Sequence, residues 1–170
     1  MTVRKVSTIL RQNLRLSKNY LPVPEEATQV TSNVGNRSVR NALNIRYVDV
    51  GGGQDCANEL LAAFGPDYDL EQYGVRLVAS PRHADVLLVT GCVTKKMADP
   101  LRKTYEAIPN PKIVVACGDA AITGGVFANA KYCLGPVSTV IPVDLAVPGD
   151  PPSAATLVEV FRQISGRYKR

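Results

Sequence analysis

The chain has 170 residues, 45% of them hydrophobic and 21% charged, with a formal net charge of +5. That suffices for one domain with a sizeable core and argues against disorder of the whole chain. No apolar run approaches the roughly 20 residues of a membrane-spanning helix, and the N-terminus lacks a signal peptide's apolar stretch, so a cytoplasmic protein is expected, free or resting against a membrane complex. With no export signal, Cys56, Cys92, Cys117 and Cys133 are expected to be reduced thiols.

Charge gathers at the front. Up to Arg46 the eight basic residues Arg4, Lys5, Arg11, Arg15, Lys18, Arg37, Arg40 and Arg46 stand against Glu25 and Glu26, giving +6, and the remainder is near neutral at −1. Such an arm suits nucleic acid, anionic lipid or an acidic partner. Its only aromatic is Tyr20, which leaves base stacking little to use, and nucleic acid is not an expected partner. From Val3 to Leu16 the apolar residues Val3, Val6, Ile9, Leu10, Leu14 and Leu16 fall mostly at helical spacing with Arg11 and Arg15 between them. This predicts an amphipathic helix, either received by an external partner or folded back on its own domain. Leu21 to Arg40 reads as an extended connector, so the chain divides into an N-terminal helix and connector over 1–43 and a globular body over 44–170.

In the body, Ile45 to Val50 reads as a strand followed by the loop Gly51-Gly52-Gly53. Asp55 then caps a helix from Cys56 to about Phe64, which Gly65-Pro66 ends. Val75 to Ala79 reads as a second strand, but only Ser80 to Ala84 separate it from the next one, too few for a crossover helix, and its pairing stays open. The run Asp85 to Thr90, closed by Gly91, has the Val and Leu content of a strand buried on both faces of a parallel sheet. The loop Gly91 to Lys96 leads to a helix from Met97 to about Ala107, with Asp99-Pro100 suited to its first turn. Lys112 to Ala116 reads as another buried strand and Val137 to Val143 as a weaker one. A last helix runs from the cap Ser153 to about Ile164 and stops at Gly166.

This pattern is α/β. The loops Gly51 to Asp55, Gly91 to Thr94 and Gly118 to Gly125, with the turn Val147 to Pro152, should converge on one edge of the sheet, where open α/β sheets bind ligands. The triple glycine lacks both a Gly-Lys-Ser/Thr ending and a G-x-G-x-x-G spacing, which argues against nucleotide binding. The single His83 has no serine or cysteine placed near it, and it reads as a strand-end residue rather than a hydrolase base.

Taken in order, SPRHADVLLVTG-x-VT-x-x-M, VVACGDAAITGGVF and IPVDLAVPGDPP closely resemble the small electron-transfer subunit shared by respiratory complex I (its 20 kDa, B-type subunit) and the energy-converting membrane-bound NiFe hydrogenases. The Gly-Asp-x-Ala-x-x-Gly-Gly-Val-Phe form is nearer the hydrogenase branch. The resemblance covers about Ile45 to Ile164. It implies a flavodoxin-like, mostly parallel sheet with helices on both faces, carrying one 4Fe-4S cluster at the interface with a large subunit.

The departures from that pattern are specific. Cluster ligation needs thiolates, four cysteines in family members. Cys56, three residues ahead of Glu59, matches the second ligand, while the first falls at Asp55 or Gly53, the third at Ala120 and the fourth at Asp150. Three of the four are missing, so no cofactor is expected. The alternative is an iron–sulfur site of altered ligation, with Cys56, Cys92 and Cys117 as candidate ligands and an aspartate oxygen beside them, although carboxylates suit harder sites. Cys133 has no motif role. The resemblance further implies that Arg82, Val93, Thr94, Lys95, Lys96 and Met97 face a large-subunit homologue, with ferredoxin-like and membrane-arm subunits as further partners. The expected protein is a mainly structural subunit, not catalytic alone, on the cytoplasmic face of a membrane-associated complex. Its alternatives are an electron-transfer subunit with altered ligation and a regulatory or binding module that reuses the cavity.

Overall fold

A computed structural model describes residues 42–166. The amphipathic helix and connector expected at the N-terminus lie outside these residues. Five strands form the main sheet: β1 (Leu43–Asp49), β2 (Val75–Leu77), β3 (Val86–Thr90), β5 (Ile113–Cys117) and β7 (Leu145–Val147). Their order is β2-β1-β3-β5-β7, and all pairs are parallel. Counted within the sheet this is the 2-1-3-4-5 order of flavodoxin-like folds.

Every residue of β3 and β5 is buried, because both faces of the sheet are covered. On one face Ile45, Val86, Leu88, Ile113 and Val115 meet Leu60 and Ala63 of α1 (Asp55–Phe64) and Leu157, Phe161 and Ile164 of α4 (Ala154–Ser165). On the other, Leu87, Val89, Val114 and Ala116 meet Ala98 and Leu101 of α2 (Ala98–Ala107) and Ala121 of the short α3 (Asp119–Thr123). Side chains alternate across a strand, so one apolar run feeds both cores.

The short connection from β2 to β3 has a geometric explanation. Strand β2 leaves the sheet with Leu77 beside Ile45, and β3 enters with Val86 beside the same Ile45 on the other side of β1. The chain therefore crosses β1 sideways without returning along its length. Hydrogen bonds from Val78 N to Ile45 O and from Asp85 N to Asn44 O fasten the two ends of the crossing, and the Asp85 carboxylate accepts from Asn44 N at 2.9 Å. A single 3-10 turn, Pro81–His83, suffices between them.

The strand expected at Val137 to Val143 is absent. Val137–Thr139 is a 3-10 turn, and the last strand begins eight residues later, at Leu145. Val140 N and Ile141 N both donate back to Val137 O, and Val137 and Ile141 bury together in the second core. Their spacing is that of a helical turn, which the apolar composition alone did not distinguish from a strand.

The last helix shows why Glu59 matters to the fold. Its cap is as expected: Ser153 Oγ accepts from Thr156 N, and Gly166, at φ 70°, closes the far end. In addition the half-buried Glu59 carboxylate of α1 accepts from Ala154 N at 2.7 Å, supplying an anion where the helix has unpaired N–H groups. We expect Glu59→Ala to cost about 1–3 kcal/mol, the range for a hydrogen bond to a charged group, measured by urea unfolding. A loss under about 0.5 kcal/mol would show that solvent replaces the carboxylate freely.

Candidate functional site

The loops that follow β1, β3, β5 and β7 meet at the carboxyl edge of the sheet. The Asp49 carboxylate accepts from Gly51 N (3.0 Å) and Gly52 N (2.8 Å), which folds the triple-glycine loop back over the strand end. Gly52 then lies directly against Gly91. The other two loops are tied by Asp119 N to Gly149 O (3.0 Å) and by Gly149 N to Asp119 Oδ1 (2.9 Å). Together they enclose a cleft lined by Gly52, Gly53, Asp55, Cys56, Thr90, Gly91, Cys117, Gly118, Ala120 and Asp150. Its empty volume is about 290 Å³ with its open side included.

The structure thus brings Gly53, Asp55, Cys56, Ala120 and Asp150 together from distant parts of the sequence, and Cys117 joins them. Cys56 is half-buried at the start of α1, while Cys117 is buried at the end of β5. A hydrogen bond from the Cys117 thiol draws Cys56 below the usual thiol range, against burial and the charges of Asp150, Asp55 and Asp49. The same bond, with burial, pushes Cys117 upward. Thr90, at the floor of the cleft, is buried and shares a 3.0 Å hydrogen bond with the hydroxyl of Tyr47. Burial in turn raises the Tyr47 phenol, which the sequence reading did not single out.

This donor set does not fit a 4Fe-4S cluster. Two thiols line the cleft, they are hydrogen-bonded to each other, and Asp55 and Asp150 offer only carboxylates. Ala120 offers nothing, whereas such clusters are held by four thiolates.

Cys92 lies outside this lining. It is fully buried, its sulfur 2.7 Å from that of Cys133 and 3.5 Å from Gly135 O. Cys92 immediately precedes and Cys133 belongs to a small antiparallel ribbon of β4 (Val93–Thr94) and β6 (Cys133–Gly135), which was not legible in the sequence. The hydrogen bond with Cys92 pushes the Cys133 thiol up to about 11. Because the thiolate is the reactive form, we expect iodoacetamide near neutral pH to modify Cys56 before Cys133, although both are part-exposed. Time-resolved peptide mass spectrometry checks this, and equal rates would contradict the assigned hydrogen bonds.

Of the residues expected at an interface, Arg82, Lys95 and Lys96 are exposed, and Thr94 and Met97 are half-buried. Val93 is fully buried in the second core, so its side chain serves the fold. Beside them lie four exposed apolar residues that sequence reasoning did not select, Val126, Phe127, Tyr132 and Leu134. Tyr132 O accepts from Lys95 N at 2.9 Å, which joins the two segments.

A 2-1-3-4-5 parallel sheet with a thiol-bearing cleft at its carboxyl edge places the chain in the flavodoxin-like α/β class. Within that class it belongs to the NADH ubiquinone oxidoreductase 20 kDa subunit family, whose profile matches residues 54–164. It is 42% identical over 126 residues to an uncharacterised protein of Methanocaldococcus jannaschii, covering 74% of this chain and 84% of the relative. To a probable membrane-bound hydrogenase subunit, mbhJ, of Pyrococcus furiosus it is 46% identical over 106 residues, covering 62% of this chain and 64% of that one. Among solved structures it resembles a chain of the archaeal membrane-bound sulfane sulfur reductase, a respiratory membrane complex. The TM-score is 0.63 at 29% identity, over 76% of this chain and 73% of the other. Among the described residues no helix is long and apolar enough to cross a membrane.

Proposed function

We propose that the chain is a subunit of a membrane-associated complex related to complex I and the membrane-bound hydrogenases, and that its role there is structural, with the cluster site lost. Membership of the 20 kDa subunit family and the likeness to mbhJ and to the sulfane sulfur reductase chain support the complex. The observation that carries the structural role is the cleft itself, which offers two thiols and an alanine where four thiolates are needed. The partners in this reading are a large-subunit homologue against Arg82 and the Thr94 to Met97 loop, then ferredoxin-like and membrane-arm subunits, all on the cytoplasmic face.

Protein produced anaerobically with ample iron and sulfide is expected to carry no cluster, read by iron and acid-labile sulfide content and by EPR after reduction. About four iron and four sulfide per chain with a reduced-cluster signal would overturn the structural role. The neighbouring thiols of Cys56 and Cys117 favour one second reading, an electron-transfer site of altered ligation. A smaller, reproducible iron–sulfur content abolished by Cys56→Ser would establish it.

A further inference from the structure

Cys92 and Cys133 stand 41 positions apart in sequence, and the described fold still holds their sulfurs 2.7 Å from each other. The ribbon creates that proximity, with Val93 opposite Gly135, Thr94 opposite Cys133 and a register shift between them. Closing from that separation to the about 2.05 Å of a covalent S–S bond requires little movement of either strand.

Exposure divides the pair. Cys92 is fully buried, whereas Cys133 is partly exposed, so a reagent from solvent meets Cys133 first. Around them, the segment 125–135 carries four of the six large apolar side chains that the described residues expose. It is tied to the loop 91–97 through the short ribbon and the Lys95 N to Tyr132 O bond. A covalent link between Cys92 and Cys133 would therefore pin a segment that few other bonds secure to that loop.

We propose that Cys92 and Cys133 are an oxidisable dithiol that closes to a disulfide by exchange with a low-molecular-weight disulfide, and that the closed form pins segment 125–135 to the loop 91–97. The Cys133 thiolate attacks one sulfur of the reagent, breaking its S–S bond and releasing one thiol with the proton Cys133 gave up. The Cys92 thiolate then attacks the Cys133 sulfur of the mixed disulfide, forming the internal bond and expelling the second thiol, which takes the Cys92 proton. Two protein thiols are oxidised and one reagent disulfide is reduced to two thiols. This site is separate from the cleft and does not depend on whether a cluster is bound there.

Trypsin places the four cysteines on four different peptides, 47–76, 83–95, 113–131 and 132–162, so each pairing has its own mass. The full chain is equilibrated in mildly alkaline buffer with oxidised and reduced glutathione, remaining thiols are alkylated, and the digest is mapped. The expected product joins 83–95 to 132–162, is lighter by two hydrogens than the two reduced peptides together, and disappears with dithiothreitol. Cys133→Ser, a change at a part-exposed position, is expected to remove it while circular dichroism is unchanged. Amide exchange across 125–135 is expected to be several-fold slower in the oxidised protein. A stable glutathione adduct on Cys133, or pairing of either residue with Cys56 or Cys117, would overturn the dithiol assignment. Equal exchange rates in the two forms would overturn the pinning.

Discussion

Phe161→Ala is expected to lower unfolding stability by about 3–5 kcal/mol, the range for truncating a fully buried aromatic residue. Among the described residues Phe161 is the largest side chain with no exposure, and it lies in the core between α4 and the sheet with Leu88, Val115 and Leu157. Removing its ring takes away apolar burial and leaves a cavity that two helices and a rigid sheet cannot fully collapse. A typical domain has only about 5–15 kcal/mol to lose, so the variant should unfold at markedly lower urea with little change in slope. Leu61→Ala is the comparison, since Leu61 on α1 is 63% exposed and should change stability by less than about 0.5 kcal/mol. The loss should also reach the cleft, because α1, which carries Cys56, packs in the same core. Faster alkylation of Cys56 in the Phe161 variant is the expected sign. A loss below about 1 kcal/mol would mean that the α4 face is looser than its burial indicates.

What the sequence disclosed follows the length of each element and the strength of its pattern. Strands β3 and β5 were legible because runs of four (Val86 to Val89) and five (Ile113 to Cys117) consecutive apolar residues with no polar face fit little else at that length. Strand β7 was hidden because it has three residues and follows a longer apolar run, Val137 to Val143, whose buried members repeat at helical spacing. The cleft was foreseeable because strand ends in a parallel sheet converge on one edge whatever the loops contain. Cys117 was legible as a candidate ligand from its place three residues before Ala120, and parity supports it, since it shares the phase of Ile113 and Val115 and hence the face that α1 covers. Its hydrogen bond to Cys56 depends on distances that no spacing rule carries. The pairing of Cys92 with Cys133 was beyond reach, for β4 and β6 have two and three residues and leave no periodicity to read.

Gly91→Ala is expected to destabilise the protein by about 2–5 kcal/mol, combining the roughly 1–2 kcal/mol of left-handed backbone strain with the roughly 1–3 kcal/mol of overpacking. Gly91 has φ +83°, a conformation that side chains rarely adopt, and an added Cβ would lie 2.1 Å from Gly52 N and 2.6 Å from Gly52 Cα. The obstruction is backbone, so no rotamer change relieves it. Gly52 is in turn held by the Asp49 carboxylate, and retreat from Gly91 would break or stretch that 2.8 Å bond. The loop after β1 must then move away from the loop after β3, which widens the cleft between Gly52 and Gly118 and exposes Thr90 and Cys117. Gly53→Ala tests the same loop without that constraint, since the one atom its new Cβ would approach within 3.0 Å is the Asp55 carboxylate oxygen at 2.9 Å, the end of a side chain rather than backbone. Thermal or urea unfolding of the two variants should differ by about 2 kcal/mol or more, with Gly53→Ala close to the parent protein. Cys117 alkylation should rise in Gly91→Ala alone. If both variants behave like the parent, the contact between the two loops is not what closes the cleft.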